Sequence, residues 1–250
     1  MEDTTHPPAP PTTGAGVKPN SLARIFSVLW KPRDTFESIA ARPTWGLALL
    51  VIVVLSAVSA AIWIPSIDVA ELIRERIASS GQNVDAARLE TIIDVTDRMR
   101  WVMFLGPVIV FQPIAVTVVA FVFYLVFRVT GSEQRYEQSL AVTTHSFLPL
   151  AVAALLSIPL LLSRGSLSNE ELMTGGMLAS NLGFLAGEDA SPAMRAFLQS
   201  LDFFSLWSIV LLGIGYVRTT KLPGLSVTIS VVAMWGLWIL ARVGMASATG

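Results

Sequence analysis

Three polar side chains stand in or beside apolar segments of this chain: Gln112, His145 and Asp202. An acid or amide within a membrane usually contacts an ion or a polar solute, because hydrocarbon offers it no other partner. An imidazole can relay protons near neutral pH. Together the three residues would line a polar pathway between helices, which predicts a small, oligomeric channel or permease as one candidate function.

Each of these residues also has a structural interpretation, which we favour. Asp202 directly precedes an apolar segment, where a carboxylate caps the helix start and gains from the helix dipole. His145 has no cluster of His or carboxylate residues around it in the sequence, and a metal site needs several such ligands. The interiors of the apolar segments carry no Asp, Glu, Lys or Arg, which ion-coupled transport usually needs.

Two short motifs suggest hydrolytic chemistry but lack their partners. Ser226 lies in half of an intramembrane serine-protease motif whose second Gly is absent, and only His145 could serve as its base. Glu170 and Glu171 match the paired glutamates of membrane metalloproteases, but no His motif accompanies them. Because a nucleophile works only with its base and oxyanion donors, we expect no enzyme here and no cofactor.

The composition indicates that lipid surrounds much of this chain. It is 53% hydrophobic and 14% charged, whereas soluble domains contain about 25% charged residues. Its apolar residues occur in long runs separated by polar patches, which is typical of a protein that crosses the membrane several times. The net charge of -1 gives no field that would recruit nucleic acid, and the absence of Cys excludes thiol catalysis.

The apolar runs predict five membrane spans. The first is bracketed by Trp45 and Trp63, which would lie about 27 Å apart on a helix. That distance matches the hydrocarbon core, and Trp prefers the interface. Prolines are expected to kink two of the other spans. The predicted spans are residues 46–64, 101–127, 144–163, 203–217 and 222–241, and the prolines are Pro107 and Pro113 in the second and Pro149 and Pro159 in the third.

The segments between the spans are predicted to form amphipathic helices. Residues 66–100 have a helical period, and their second half runs without a breaker into Trp101, which predicts one continuous helix entering the second span. In the loop after the third span, Ser168 with Glu171 forms a capping-box pattern and Ser191 precedes a Pro. Both features predict helix starts outside the hydrocarbon core.

The charge distribution sets the expected orientation. Nine Lys and Arg residues lie on the side of the N-terminus and eight on the other, and the first group occupies the shorter segments. This density predicts a cytoplasmic N-terminus and a C-terminus outside. For a bacterial chain the membrane would be the inner one.

The N-terminal region divides in two. Residues 1–20 are Pro-rich and predict a disordered tail that is not a signal peptide, and residues 245–250 predict a short tail at the other terminus. Residues 21–43 predict an amphipathic helix in the cytoplasmic headgroup layer, with Arg24 and Lys31 near its apolar face. The alternative is that this face packs under the spanning bundle. The apolar face consists of Leu22, Ile25, Phe26, Leu29 and Trp30.

Three groups of residues follow one another around the five spans. They are Pro32, Phe36, Ile39 and Pro43 before the first span; Gly131, Ala141 and Pro149 around the third; and Asp202, Phe204, Trp207, Gly213, Gly215 and Trp235 in the last two. In this order they resemble the Yip1 family of small membrane proteins. The resemblance covers residues 25–243 and implies a five-span helical fold. Eukaryotic members are implicated in vesicle traffic and bind small GTPases, but nothing in this N-terminal tail resembles a GTPase-binding element.

The sequence therefore predicts an all-α integral membrane protein, a bundle of five transmembrane helices with amphipathic flanking and loop helices. The favoured function is a non-enzymatic scaffold that organises the membrane or binds a partner. Membrane lipid is the expected contact, with a protein partner or a second copy of the chain as a further one. Gly213 and Gly215 are expected to let a neighbouring helix come close.

Overall fold

The computed structural model describes residues 20–164, 180–187 and 189–249. The predicted disordered tail and the motifs at Ser168, Glu170 and Glu171 lie outside these residues. The α-helices of the described part are α1 (Ser21–Trp30), α2 (Pro32–Ala41), α3 (Gly46–Trp63), α4 (Val69–Ser80), α5 (Ala86–Arg98), α6 (Arg100–Val129), α7 (Tyr136–Ser146), α8 (Leu148–Arg164), α9 (Pro192–Ser200), α10 (Phe203–Thr220) and α11 (Gly224–Thr249).

Within the described residues, five helical segments are long and apolar enough to cross a membrane. They are α3, α6, α7 together with α8, α10 and α11. The predicted all-α fold with five spans is therefore confirmed. The remaining helices flank the spans: α1 and α2 precede the first, α4 and α5 lie between the first two, and α9 precedes the fourth.

The third span differs most from its prediction. Its helix begins at Tyr136 rather than at residue 144, and it is broken at Phe147. Pro149 explains the break, because it has no N–H to donate to the His145 carbonyl and its ring crowds that carbonyl. The two halves are α7, which is rich in Ser and Thr, and the apolar α8.

Other helix boundaries also differ from their predictions. The fifth span does not end at residue 241: α11 continues to Thr249, so residues 245–249 are helical rather than a tail. The apolar run ends near Arg242, but small helix-compatible residues continue the helix beyond it. The helix predicted to run unbroken into the second span bends at Met99, between α5 and α6. The fourth span continues three residues further, to Thr220.

The helix order defines two ends of the bundle. The connection from α6 to α7 and the C-terminus of α10 lie beside α1 and α2, and we call this the α1–α2 end. Helices α4, α5 and α9 lie at the opposite end. The main core is centred toward the α1–α2 end, where side chains of α1 and α2 pack among the spans. Its fully buried members include Val28, Phe36, Ile39, Phe127, Val142, Tyr216 and Val227.

Helix α7 is the most enclosed element of the bundle. Every residue from Ser139 to Ser146 is buried, and the helix packs against α2, α6 and α10. Five of these residues are Ser, Thr or His. Polar side chains inside a membrane bundle need partners within the protein, because neither water nor lipid supplies them. The polar contacts inside this bundle are therefore expected around α7.

The amphipathic face predicted for residues 21–43 is divided between two environments. Ile25 and Val28 are buried in the main core. Leu22, Phe26 and Trp30 are 50%, 67% and 79% exposed, on the other side of α1. The helix therefore packs on the bundle with one face and presents an apolar line, spaced four residues apart, with the other.

Arg24 lies elsewhere than we expected. It was predicted near the lipid headgroups, but it is buried, and its guanidinium donates to the carbonyls of Arg42 at 2.9 Å and Ser38 at 3.2 Å and to the Thr44 hydroxyl. A basic side chain near a helix C-terminus can bond to the last carbonyls of the helix. Here Arg24 adds a second donor to the Ser38 carbonyl, which already accepts from the Arg42 N–H, and supplies one to the Arg42 carbonyl just after α2. Burial, followed by the nearby charge of Arg42, holds the pKa of Arg24 below its ordinary value.

Candidate functional site

The densest polar contacts surround the hydroxyl of Tyr216, which is fully buried on α10. It lies 2.8 Å from the hydroxyl oxygens of both Ser139 and Thr143 on α7. The ring is enclosed by Phe127 and Phe123, whose centroids lie 4.7 and 5.0 Å away. The network thus joins two spans through hydroxyl groups inside an aromatic enclosure.

The direction of these hydrogen bonds follows from counting protons. Ser139 donates its one hydroxyl proton to the carbonyl of Ala120, at 2.7 Å. It must therefore accept from Tyr216, which leaves Thr143 to donate to Tyr216. Every hydroxyl proton in this chain of contacts has an acceptor, and no hydroxyl faces a base that could activate it. The arrangement holds helices together and is not that of a nucleophile.

A second set of contacts fastens the α6–α7 connection to the end of α10. The hydroxyl of Ser132 donates to the carbonyl of Thr220, at 3.1 Å, and accepts from the backbone N–H of Gln134. The side-chain oxygen of Gln134 accepts from Thr219, at 3.2 Å. Gly131 begins this connection with φ of +95°, a conformation that favours glycine.

Of the two glycines expected at a close approach, Gly215 lies at one and Gly213 does not. A Cβ placed on Gly215 would lie 2.6 Å from Cγ1 of Val142 and 3.0 Å from the ring of Phe36. A Cβ on Gly213 would have nothing within 4 Å. Gly215 is thus where α2, α7 and α10 meet, one residue before the Tyr216 network. It brings Phe36 of the first sequence motif against the last one.

Asp202 is the N-cap of α10. One carboxylate oxygen accepts from the backbone N–H of Ser205 at 2.9 Å, and the other accepts from the hydroxyl of Ser180. The backbone N–H of Phe203 also donates to the carbonyl of Ser180, at 2.9 Å. This is the capping arrangement expected from the sequence, with Ser180 as an additional partner that ties the preceding loop to the helix.

Gln112 and His145 make separate contacts. The side-chain amide of Gln112 donates to the hydroxyl of Ser56 at 3.0 Å, which joins α6 to α3. His145 is buried, and its Nδ1 donates to the carbonyl of Ala141 at 2.8 Å, within its own helix. Within the described residues, no hydrogen bond joins any two of Gln112, His145 and Asp202. The structure does not assemble them into one polar pathway.

The structure does not bring the residues of the hydrolytic interpretation together either. Ser226 is exposed on the first turns of α11, whereas His145 is enclosed within the bundle. No hydrogen bond connects them in the described part of the chain. The same residues contain no group of three or more His, Cys, Asp or Glu placed to hold a metal ion.

The remaining motif residues lie at a helix start, in a connection and on the last two spans. Pro32 begins α2, where a missing N–H costs nothing, and Pro43 lies half-buried in the connection from α2 to α3. Trp207 packs against the main core from α10. Trp235, on α11, is half-buried, and its indole Nε1 is buried without a hydrogen-bond partner.

A cavity of about 360 Å³ opens beside Trp235, and we call it the α10–α11 cavity. It lies between α6, α8, α10 and α11, and its walls are almost entirely apolar. Gln112, His145 and Asp202 do not line it. Its lining consists of Val118, Val119, Val122, Phe123, Phe147, Leu150, Ser205, Ser208, Ile209, Leu212, Met234, Trp235 and Trp238.

Sequence reasoning missed Tyr216, Thr143 and Ser208, although signals for them exist. The run of Ser and Thr residues over 139–146 is too polar for a lipid-facing helix, which indicates burial inside the bundle. A Tyr close to the end of an apolar span needs a partner for its hydroxyl. What the sequence does not show is that these two features meet.

The fold and its contacts define a five-span helical membrane protein in which polar residues of α7 and α10 join neighbouring helices. The sequence profile of the Yip1 domain matches residues 26–245, and the chain belongs to the Yip1 family. It is also similar to the membrane protein YknW of Bacillus subtilis (strain 168), with 25% identity over 218 residues that cover 86% of this chain and 87% of the relative. No solved structure matches the chain significantly.

Proposed function

We propose that this protein is a non-enzymatic membrane-organising protein, and that it acts by holding α1 in the surface of the membrane. The observation that carries the proposal is the line of exposed apolar side chains Leu22, Phe26 and Trp30 on a helix whose other face is buried in the bundle. An exposed apolar line on an amphipathic helix inserts into the headgroup boundary of a bilayer. Because α1 is fixed to the spans, its insertion would displace lipid at a defined place beside them.

Charge near this helix supports the same role. Lys31 and Arg33 are exposed next to Trp30 and would attract anionic headgroups. The N-terminus would then be cytoplasmic and the C-terminus outside, in the inner membrane of a bacterium. A reporter fused after Gly250 that is active only in the cytoplasm would contradict this orientation.

The chain lends itself to a direct test because it contains no Cys. In proteoliposomes of anionic phospholipid, the full-length variant Trp30→Cys would carry an environment-sensitive fluorophore, and nitroxide-bearing lipids would quench it. Glu37→Cys, on the exposed side of α2, is the matched control. We expect strong quenching at position 30 by shallow nitroxides and weak quenching at position 37. Equal quenching at both positions would contradict insertion of α1.

A second measurement separates this role from transport. Proteoliposomes with the native chain should release neither ions nor small solutes faster than empty ones. Solute flux that is present in the native protein and lost in Asp202→Ala would favour a channel or permease instead. Copurification of a protein lost on replacing Leu22, Phe26 and Trp30 together by Ala would instead identify α1 as a protein-binding surface.

A further inference from the structure

Two residues that line the α10–α11 cavity each carry a buried polar atom without a hydrogen-bond partner within the protein. The atoms are the hydroxyl oxygen of Ser208 and the indole Nε1 of Trp235. Ser208 is 3% exposed and lines the cavity from α10, and Trp235 lines it from α11. Two residues with an unsatisfied polar atom therefore line one apolar space.

Ser208 differs from the hydroxyl residues that bond within their own helix. Ser200 donates to the carbonyl four residues earlier at 2.7 Å, and Thr220 does the same at 2.6 Å. Ser208 makes no such bond, so its hydroxyl is free for a partner in the cavity. Other buried polar atoms without partners, such as Ser146 Oγ and Gln112 Oε1, do not line this cavity.

The two atoms specify the chemistry of a ligand. An indole N–H can only donate, and a serine hydroxyl can donate as well, so the ligand must present an acceptor. A charged phosphate among these apolar walls would lose its hydration without a compensating charge. An uncharged ester carbonyl has two lone pairs and can accept from both donors. The apolar walls and the volume, which lies within the range of about 300–1,000 Å³ for ligand pockets, suit an alkyl chain beside that ester.

The mouth of the cavity carries the complementary charge. Trp238, one helical turn beyond Trp235, is half exposed, and the guanidinium of Arg242 lies 5.1 Å from the centroid of its ring. Along the helix axis Trp238 lies about 5 Å beyond Trp235 and Arg242 about 10 Å beyond it. Because the Arg242 guanidinium lies over the Trp238 ring, it is within reach of the phosphate of a glycerophospholipid whose ester lies at Trp235. Val118 and Leu150 are exposed at the side of the cavity, so a chain can enter laterally from the bilayer.

We propose that the α10–α11 cavity binds one membrane phospholipid. One acyl chain fills the cavity, an ester carbonyl accepts hydrogen bonds from Trp235 Nε1 and Ser208 Oγ, and the phosphate faces Arg242. This site is separate from α1, so it stands whether or not α1 inserts into the membrane.

The test compares two lipids on two proteins. Full-length protein, stripped of lipid in detergent, is titrated with a diester phosphatidylglycerol or with the diether lipid of the same chains and headgroup, and bound lipid is counted by native mass spectrometry. The test variant is Trp235→Phe combined with Ser208→Ala. Its control is Trp101→Phe combined with Ser230→Ala, since neither residue lines the cavity.

We expect the native protein and the control to retain one diester lipid about 10-fold more tightly than the diether lipid, as two hydrogen bonds would give. The test variant should bind the diester lipid about 10-fold more weakly than the native protein and should not distinguish the two lipids. Its melting temperature without lipid should stay close to that of the native protein, because neither Ser208 nor Trp235 loses a side-chain hydrogen bond within the protein. If it unfolds, Ser208→Ala alone replaces it, with about half the effect on a logarithmic scale.

Three results would overturn the proposal. The native protein could bind both lipids equally, the test variant could bind the diester lipid as tightly as the native protein, or the native protein could appear as a lipid-free dimer, which would assign the cavity to a second copy of the chain. Stabilisation by detergent or inorganic phosphate equal to that by the diester lipid would likewise exclude a phospholipid site.

Discussion

Two regions of this bundle treat buried polar groups in opposite ways. Around Tyr216, hydroxyls on α7 and α10 bond to each other and to a carbonyl of α6, and Gly215 lets α7 and α10 touch. Between α10 and α11, Ser208 and Trp235 line a cavity, and neither the Ser208 hydroxyl nor the Trp235 indole N–H has a partner in the protein. The Tyr216 network is completed by the chain itself, and the α10–α11 cavity has room for a ligand.

The difference shows two uses of polar side chains inside a membrane protein. In hydrocarbon, apolar surfaces gain little by meeting, so close packing and interhelical hydrogen bonds hold spans together. A polar group that is satisfied internally fixes the architecture. A polar group that is left unsatisfied beside a cavity is available for a ligand.

The largest expected effect is at the closest helix contact. Gly215→Ala would place a Cβ 2.6 Å from Val142 and should lower the free energy of unfolding in micelles by about 1–3 kcal/mol through overpacking. Gly213→Ala, two residues away, should be neutral or slightly stabilising. Adding Val142→Ala to Gly215→Ala should recover part of the loss. Equal free energies of unfolding for Gly215→Ala and Gly213→Ala would show that Gly215 is not a packing position.

A smaller effect is expected from the hydroxyl network. Tyr216→Phe keeps the aromatic enclosure but removes the acceptor of Thr143, which should cost about 1–2 kcal/mol of unfolding free energy. Tyr124→Phe is the matched control, because within the described residues its hydroxyl makes no hydrogen bond while its ring also stacks. Identical denaturation curves for the two variants would mean that the network adds nothing to stability.

The smallest effect belongs to the acid that first suggested transport. Asp202→Asn should leave thermal stability nearly unchanged, because Asn caps helices about as well as Asp. Asp202→Ala should cost about 1 kcal/mol, because the Ser205 N–H loses its acceptor. A melting temperature that falls as much for Asn as for Ala would show that the charge itself, rather than the cap, is needed.

Much of the fold could be predicted from local chemistry. The Trp45 and Trp63 pair brackets α3, Asp202 begins α10, and the long apolar runs correspond to the five spans. These features depend on residues near in sequence and on the fixed thickness of the hydrocarbon core. The end of α11 and the bend at Met99 were missed, because an apolar run shows where lipid contact stops and not where helical hydrogen bonds stop.

The candidate site was less predictable. From the sequence, Arg24 was expected to contact lipid headgroups, because it lies beside an apolar face. In the structure it bonds at the end of α2 instead. Its acceptors at Arg42 and Thr44 lie there only because the chain turns back after α2. Ser208 looks like any serine in a span until α6, α8 and α11 leave a space in front of it. Such residues act through partners far away in sequence.

The sequence by itself determined that this chain is a five-span helical membrane protein, because hydropathy and helix capping are local properties. Only the tertiary structure decided which polar groups bond to one another and which face a cavity. Hydrogen bonds and voids depend on distances between helices, and those distances follow from packing at positions such as Gly215 that no local pattern distinguishes from Gly213.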